Sequence, residues 1–425
     1  MGNKTGNMET MRAYKFRIYP DTKRQAAIDD AISLSQRLYN KLLEKTINTH
    51  KNNPSSKISQ RTINQFLNEI IKGDKTYLQL YAHVRVDIRN KLLKTYQNFF
   101  RRCQQKKSGA RIKAGFPRFK SKDRFNSITH IENNGSFRME KAGKKNMLRI
   151  SKIGCVQIEQ HRNMTGNVKT MTIKREGNDY YAIFTAEQII KPKEVIDANP
   201  VGIDMGLKNF IALSDGKTKQ KPKFFKQKEK RIARWQRIVA RRKKDSKRRE
   251  KAKLRLQEEW KDTTNQSNDF MHKLSTELVN SGYTSFAVEA LNIQNMEKNH
   301  RLAQAIQNAS WNRFINMLSY KAESAGMGVY QVDPKDTTQE CSNCHNIKQG
   351  EERLTPNDRI YHCNICSLTI DRDKNASINI LKRARAGLAR TNAQGENRQY
   401  IPTGNANGLD ELRTYPANAG EANDL

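Results

Sequence analysis

The sequence predicts an α/β domain together with a small β-barrel and a helical stretch, on three observations. Short alternating segments recur between Asn126 and Ile190. After Pro200 the pattern becomes strand, turn, strand, long helices, strand, helix. Late in the chain, four cysteines fall into two C-x-x-C pairs. A length of 425 residues suits two to three compact units.

Arg12 to Tyr19 (RAYKFRIY) alternates and stops at Pro20, as a strand does. From Thr22 to Glu44, Ala27, Ile28, Ile32, Leu34, Leu38, Leu42 and Leu43 recur at mostly helical spacing, and His50 to Lys57 reads as a loop. A second helical group is expected from Ile58 to about Cys103, with Leu92, Leu93, Tyr96, Phe99 and Phe100 on a broad apolar face that reads as core. Gly109 to Lys122 (GARIKAGFPRFKSK) mixes cations, glycine and aromatics. That suits a loop along a phosphate backbone, with Arg118 and Lys120 as contacts, or else a solvated linker. The alternating segments MLRISKIGCVQIE, VKTMTIKRE and DYYAIFTAEQII make up the barrel, and KPKEVIDANP marks a boundary. Phe225 to Trp260 reads as one long basic helix or a pair. Its cationic face, including Arg241, Arg242, Lys243, Lys244, Arg248 and Arg249, is of one sign and suits nucleic acid better than simple solvation. Beyond Arg385 the chain turns polar and reads as a disordered tail.

Lys and Arg number 79 against 43 Asp and Glu, a formal charge of +36. Such an excess repels itself unless a polyanion neutralises part of it, so the expected partner is nucleic acid. A ribosomal or chromatin-like packing protein, or a binder of membrane surfaces, would also fit charge alone. No apolar run reaches the length of a membrane span, and Met1 to Arg12 lacks the apolar core of a signal peptide, so a cytoplasmic protein is expected.

Cys341, Cys344, Cys363 and Cys366 stand in CSNCHNIKQGEERLTPNDRIYHCNIC, whereas Cys103 and Cys155 are isolated. Two knuckles supplying four thiolates form a closed tetrahedral site for a structural Zn2+. His345 and His362 are competing ligands that a full set of thiolates makes unnecessary. A closed sphere cannot activate water, so catalysis must lie elsewhere.

Three segments place acidic residues at the ends of apolar elements: Asp204 in VGIDMGLKNFIALSDG, Glu289 in SFAVEALN, and Asp371 and Asp373 in TIDRDKNASINI. Carboxylates placed together can hold two divalent ions for phosphodiester hydrolysis, and hard oxygen ligands favour Mg2+ or Mn2+. Each also has an ordinary reading: Asp204 as a turn residue, Glu289 as a salt-bridged strand end, Asp371 or Asp373 as a helix N-cap.

IDMGLKNFIALSDG, AVEALNI, TTQECSNC with its second knuckle, and DRDKNASINI occur in the order found in TnpB proteins, the compact transposon-encoded ancestors of type V CRISPR effectors. KFRIYP, GFPRFKSK, ARRKKDSKRREKAK and KNHRLAQAIQNASWNRFINMLSYKAE also resemble segments of that family. The resemblance covers nearly the whole chain. It implies an RNase H-like (RuvC) nuclease domain at 199–336 and 370–388 with the zinc ribbon at 337–369 inserted in it. It further implies a wedge-type β-barrel at 8–20 and 108–198, interrupted by a helical recognition lobe at 21–107, and leaves 389–425 as the tail. By motif, Asp204, Glu289 and Asp373 would be the catalytic, metal-binding triad. The implied activity is RNA-guided, two-metal hydrolysis of double-stranded target DNA. The guide would come from a transposon end, and a short target-adjacent motif would be read first; one copy of the chain per RNA is expected in preference to a dimer. Ile370 stands where many members have His. Ala82, His83, Arg85 and Val86 occupy the helix where relatives carry polar residues thought to read the adjacent motif. Rivals are a miniature type V CRISPR effector and a nuclease-inactive, RNA-guided repressor, the latter marked by a broken triad that is intact here. A transposase of the single-strand type would need a His-x-His pair, which the sequence lacks.

Overall fold

The computed structural model describes residues 8–53, 58–109, 112–131, 135–190, 199–291, 310–355 and 357–394. Two units emerge: Met11–Gln188, and Ile189–Leu425 together with Met1–Thr10.

The first unit contains β1 (Met8–Tyr19), α1 (Thr22–Asn52), α2 (Gln60–Gly73), α3 (Ala82–Lys107), β2 (Ser127–Ile131), β3 (Phe137–Ala142), β4 (Lys145–Ile150), β5 (Gly154–Glu159), β6 (Asn167–Glu176) and β7 (Asp179–Ile190). The strands form one seven-stranded sheet in the order β2-β6-β7-β1-β5-β4-β3, with the first strand of the chain at its centre. Period-2 alternation sets its faces: Tyr14, Phe16 and Ile18 are buried, while Lys15 pairs with Glu176 at 2.9 Å on the other side. The helices share the same core, Ile28, Leu38, Leu92 and Tyr96 packing in one cluster with Phe16, Ile173 and Phe184.

Two boundaries differ from expectation. α1 runs on through His50 and Lys51 to Asn52, and 54–57 of the expected loop lie outside the described residues. The second helical group is broken: Asp74 follows α2, and its side chain accepts from Thr76 N to start a short 3-10 turn, Lys75–Gln79, before α3. The expected core face of α3 is also only partly buried, since Phe100 is 45% exposed.

The second unit begins with β8 (Pro200–Asp204), β9 (Ile211–Leu213), β10 (Thr218–Lys219), α4 (Phe224–Arg241) and α5 (Lys247–Val279). It continues with β11 (Ser285–Glu289), α6 (Trp311–Ser324), β12 (Gly328–Val332), β13 (Ile360–His362), β14 (Thr369–Asp371) and α7 (Arg372–Gln394). Its mixed sheet has the order β10-β9-β8-β11-β12. β8, β11 and β12 are parallel, and β9 returns antiparallel beside β8. The long basic stretch is a pair of helices, separated where Asp245 adopts a left-handed φ of 64° and Ser246 caps α5.

Alternation along the parallel strands assigns one face to each set of helices. Val201, Ile203, Phe286 and Val288 pack with Met271, Leu274 and Leu278 of α5 and with Phe314 and Leu318 of α6. Ala287, Tyr330 and Val332 pack with Ile380 and Ala384 of α7 on the opposite face. Gly202 also points toward α7. A Cβ there would meet Ser377 O at 2.0 Å, so only glycine lets helix and strand approach this closely. No helix among the described residues is long and apolar enough to cross a membrane. α7 extends to Gln394, beyond the expected start of the tail, and 395–425 lie outside the described residues.

Candidate functional site

Strand register brings two of the acids together. Ile203 pairs with Val288 in parallel β8 and β11, so Asp204 and Glu289 are the next residues at the same ends of neighbouring strands. Each lies one step beyond a residue facing α5 and α6, which turns its side chain toward α7. There Asp373 occupies the first turn of the helix. Asp371 does something else: its Oδ1 accepts from Asp373 N at 2.9 Å and Lys374 N at 3.0 Å, the hydrogen bonding of an N-cap.

All three carboxylates are buried, Asp204 at 8%, Glu289 at 7% and Asp373 at 6% exposure. Burial, and then the charges of Glu289 and Asp373, push the Asp204 carboxyl well above its ordinary pKa, with Arg372 opposing. Burial raises Glu289 too, against the hydrogen bond from Thr337 and the charge of Arg383. The cluster is therefore short of positive charge. Buried, mutually repelling oxygen donors match the donor chemistry of Mg2+ or Mn2+. The nearest compensation is Arg372, whose guanidinium donates to Asp373 Oδ1 at 3.1 Å and to Thr355 O at 2.9 Å. Asn209 Nδ2 donates to Asp373 Oδ2 at 3.2 Å, and Thr337 Oγ1 donates to Glu289 Oε1.

The four cysteines form a separate centre, with all four Sγ atoms within 4.8 Å of one another. Cys341 and Cys366 stand 3.6 Å apart, and Cys344 and Cys363 3.5 Å. Thiolates bound tetrahedrally at the usual Zn–S length would be roughly 3.8 Å apart, so the four sulfurs fit one zinc ion. The knuckles share a design. His345 N donates to Cys341 O at 3.0 Å and Ser367 N to Cys363 O at 2.9 Å, and both donors have positive φ, 63° and 57°. The two histidines beside the ligands are engaged elsewhere, His345 Nδ1 with Glu340 Oε1 at 2.8 Å and His362 Nδ1 with Thr369 Oγ1 at 2.9 Å.

The residues expected at nucleic acid are scattered in environment. Arg118 and Lys120 are exposed on a loop pinned by Asn40, whose Oδ1 accepts from Lys120 N at 2.8 Å. His83 and Arg85 lie half-buried on α3. His83 Nδ1 is 3.2 Å from Ile131 O, and one buried Arg85 guanidinium nitrogen lacks a hydrogen-bond partner. Arg241, Lys243, Lys244 and Arg248 are exposed at the α4–α5 turn. Arg242 and Arg249 instead brace that turn, donating to Arg248 O and Val239 O.

Sequence reasoning overlooked Thr337, Asn209, Arg372, Asn375 and Asn379. The last two carried a readable signal: buried asparagines four residues apart on a helix face otherwise lined by Ala376 and Ile380.

Fold and site together define a mixed α/β protein with a buried carboxylate cluster beside a four-thiolate metal knuckle. A family model described as a probable transposase, OrfB_IS605, matches residues 176–300. A Cas12f1-like TNB domain matches 311–380, and a helix-turn-helix domain of the OrfB_IS605 type matches 8–54, where the structure has β1 and the single helix α1. A "Putative RNA-guided DNA endonuclease" of Streptomyces pristinaespiralis is 28% identical over 90% of both chains. InsQ of Escherichia coli (strain K12), given the same description, is 27% identical over 70% of this chain and 73% of its own length. The protein in a cryo-EM structure of a Cas12f1-sgRNA-target DNA complex has a similar fold, with a TM-score of 0.57 at 13% identity over 88% of this chain and 98% of that one. The chain thus carries domains of the OrfB_IS605 TnpB type and is similar over most of its length to proteins described as RNA-guided DNA endonucleases.

Proposed function

We propose that this chain is an RNA-guided DNA endonuclease whose hydrolytic centre is Asp204, Glu289 and Asp373. The observation that carries this reading is the convergence of three buried acids from β8, β11 and α7 on one face of a mixed sheet, with too little positive charge to neutralise them. Divalent ions held there would supply the charge that stabilises the attacking and leaving oxygens of a phosphodiester. The residues of the chain do the rest: the three carboxylates would hold the ions, Thr337 and Asn209 orient Glu289 and Asp373, and Arg372 offsets part of the carboxylates' repulsion.

The finer organisation follows the same reading. The mixed sheet with α5 to α7 is a RuvC nuclease domain of the RNase H type, and Cys341 to Cys366 is a zinc ribbon inserted in it. The seven-stranded sheet serves as the wedge barrel and α1 to α3 as the recognition lobe. A guide RNA transcribed from a transposon end pairs with one strand of the duplex target, while the protein holds the hybrid by shape and charge. A formal charge of +36 supports this, and DNA capture should weaken steeply with salt. A cytoplasmic complex with one chain per RNA is the simplest arrangement. The alternative of a miniature CRISPR effector has its own support, 37% identity over 75 residues to Cas12f1 of Sulfoacidibacillus thermotolerans. A repeat array flanking the gene, in place of a transposon end, would favour it.

The test is Asp204→Ala, Glu289→Ala and Asp373→Ala in the complex purified with its co-expressed RNA. Each should lose cleavage by roughly a thousandfold or more, the scale of several kcal/mol of transition-state stabilisation. Each should still bind matched DNA. A variant cutting at full rate loses its place in the centre.

A further inference from the structure

The segment Asp333 to His345 leads into the first zinc knuckle and is strapped along α7 by buried amides. Asn375 and Asn379, 0% and 1% exposed, lie one turn apart on the helix. Asn375 Oδ1 accepts at 2.9 Å from the backbone N of Ser342, which sits between Cys341 and Cys344, and its Nδ2 donates to Glu340 O at 2.7 Å. Asn379 Nδ2 donates to Glu340 O at 2.7 Å and to Thr337 O at 3.0 Å. Two cations of α7 close the strap, Lys382 donating to Ser342 O at 2.5 Å and Arg383 to Glu340 Oε2 at 2.6 Å.

Both ends of this network reach the acids. Asn375 is two residues from Asp373 on the same helix, and Thr337 places its hydroxyl on Glu289 Oε1. Thr337 is itself 2% exposed and held through its carbonyl by Asn379. Unbroken chains of hydrogen bonds and backbone therefore run from one knuckle to two of the three carboxylates. In a buried setting each link is costly to leave unmade, which gives the chains the stiffness to transmit position.

We infer that the first zinc knuckle acts, through Thr337, Asn375 and Asn379, as the device that fixes Glu289 and Asp373 relative to each other. The ribbon thus sets the geometry of divalent-ion binding as well as stabilising its own lobe. Thr337, Asn375 and Asn379 are positioning residues. The inference rests on the reading of Asp204, Glu289 and Asp373 as the ion-binding acids.

The experiment uses the full chain with its co-expressed RNA, in wild-type, Thr337→Val, Thr337→Ser, Asn375→Ala and Glu289→Ala forms. Zinc content is measured by elemental analysis, Mn2+ binding by the loss of the free-ion EPR signal, matched-DNA binding by filter retention, and cleavage in Mg2+. Thr337→Val and Asn375→Ala should keep their zinc and bind DNA as wild type does. Their Mn2+ half-saturation should rise roughly 10- to 100-fold, the usual effect of losing a residue that orients a metal ligand. Thr337→Ser, which keeps the hydroxyl, should stay with wild type. Wild-type Mn2+ binding in Thr337→Val overturns the inference, even if Asn375→Ala fails to fold. Loss of zinc from Asn375→Ala with wild-type Mn2+ binding would show that Asn375 serves the knuckle alone and overturn its part. Should Glu289→Ala cut normally, the reading of the acids falls instead, whatever Thr337→Val does.

Discussion

The cysteine knuckles and the carboxylate cluster lie in one unit and meet opposite demands. The thiols come from two short turns, each with its own internal hydrogen bond, and converge within 4.8 Å. The acids come from two strands and a helix far apart in the chain, and among the described residues they do not form a group that tight. A tetrahedral set of four soft ligands is complete once its ion is bound. On the proposed reading, three hard ligands in a looser arrangement would leave coordination positions for substrate oxygens and water, which chemistry requires. The difference teaches that local turn geometry suffices to gather the four thiols, whereas gathering the three acids needs the whole sheet to be assembled first.

The largest effect should come from breaking the closed site. Cys363→Ser removes one of four thiolates from a site whose binding energy is on the order of 10 kcal/mol, and that energy is folding energy. Zinc should be absent by elemental analysis, and Asp333 to Thr369 should become the first site of limited proteolysis. A full complement of zinc in this variant would contradict the four-thiolate assignment.

Next comes Gly202→Ala, which separates the two regions. Its Cβ would clash with Ser377 O and push α7 off β8, so an overpacking cost of about 1–3 kcal/mol is expected in thermal denaturation. Zinc content should be unchanged while cleavage falls sharply. Normal cleavage would mean that the spacing of Asp204 from Asp373 is not set by this contact.

The smallest effect concerns charge. Because burial and neighbouring acids raise Asp204 and Glu289, the native protein retains protons that the unfolded chain has already released. In buffer free of added divalent ions, stability should therefore decline as pH rises from the ordinary carboxylate range through the raised values. Asp204→Asn should flatten that decline and melt higher at neutral pH by roughly 2–4 °C, the shift that about 1 kcal/mol produces in a domain of ~200 residues. An unchanged or lower melting temperature would show that the cluster is already compensated.

How much could be read in advance depended on how local each feature is. The knuckles were fully legible because ligand identity and spacing sit within one short segment. The acids were visible as Asp204, Glu289 and the Asp371–Asp373 pair, and the family motif singled out Asp373, but the residue pattern alone left open which member of the pair caps the helix. That followed only from the backbone, where Asp371 takes the two amides. The break between α2 and α3 was hidden because apolar residues continue through it, and only the Asp74 cap reveals the turn. Thr337 was invisible because nothing in TTQEC announces that a hydroxyl will meet a glutamate 48 positions earlier. The six cations at the α4–α5 turn looked equivalent in sequence, yet two of them are engaged with carbonyls.

β14 ends at Asp371 and α7 begins at Arg372, with no residue between them to serve as a hinge. The hairpin partner reinforces the junction, since Arg372 N donates to Arg359 O at 2.8 Å. Ribbon and helix are thus joined as a handle to its blade. Any force that tilts the ribbon as a target is captured must swing Asp373 along, or else melt a turn of helix. A fluorescent label on the outward edge of the hairpin, at Ile360 for instance, would consequently be a remote gauge of motion at the acid.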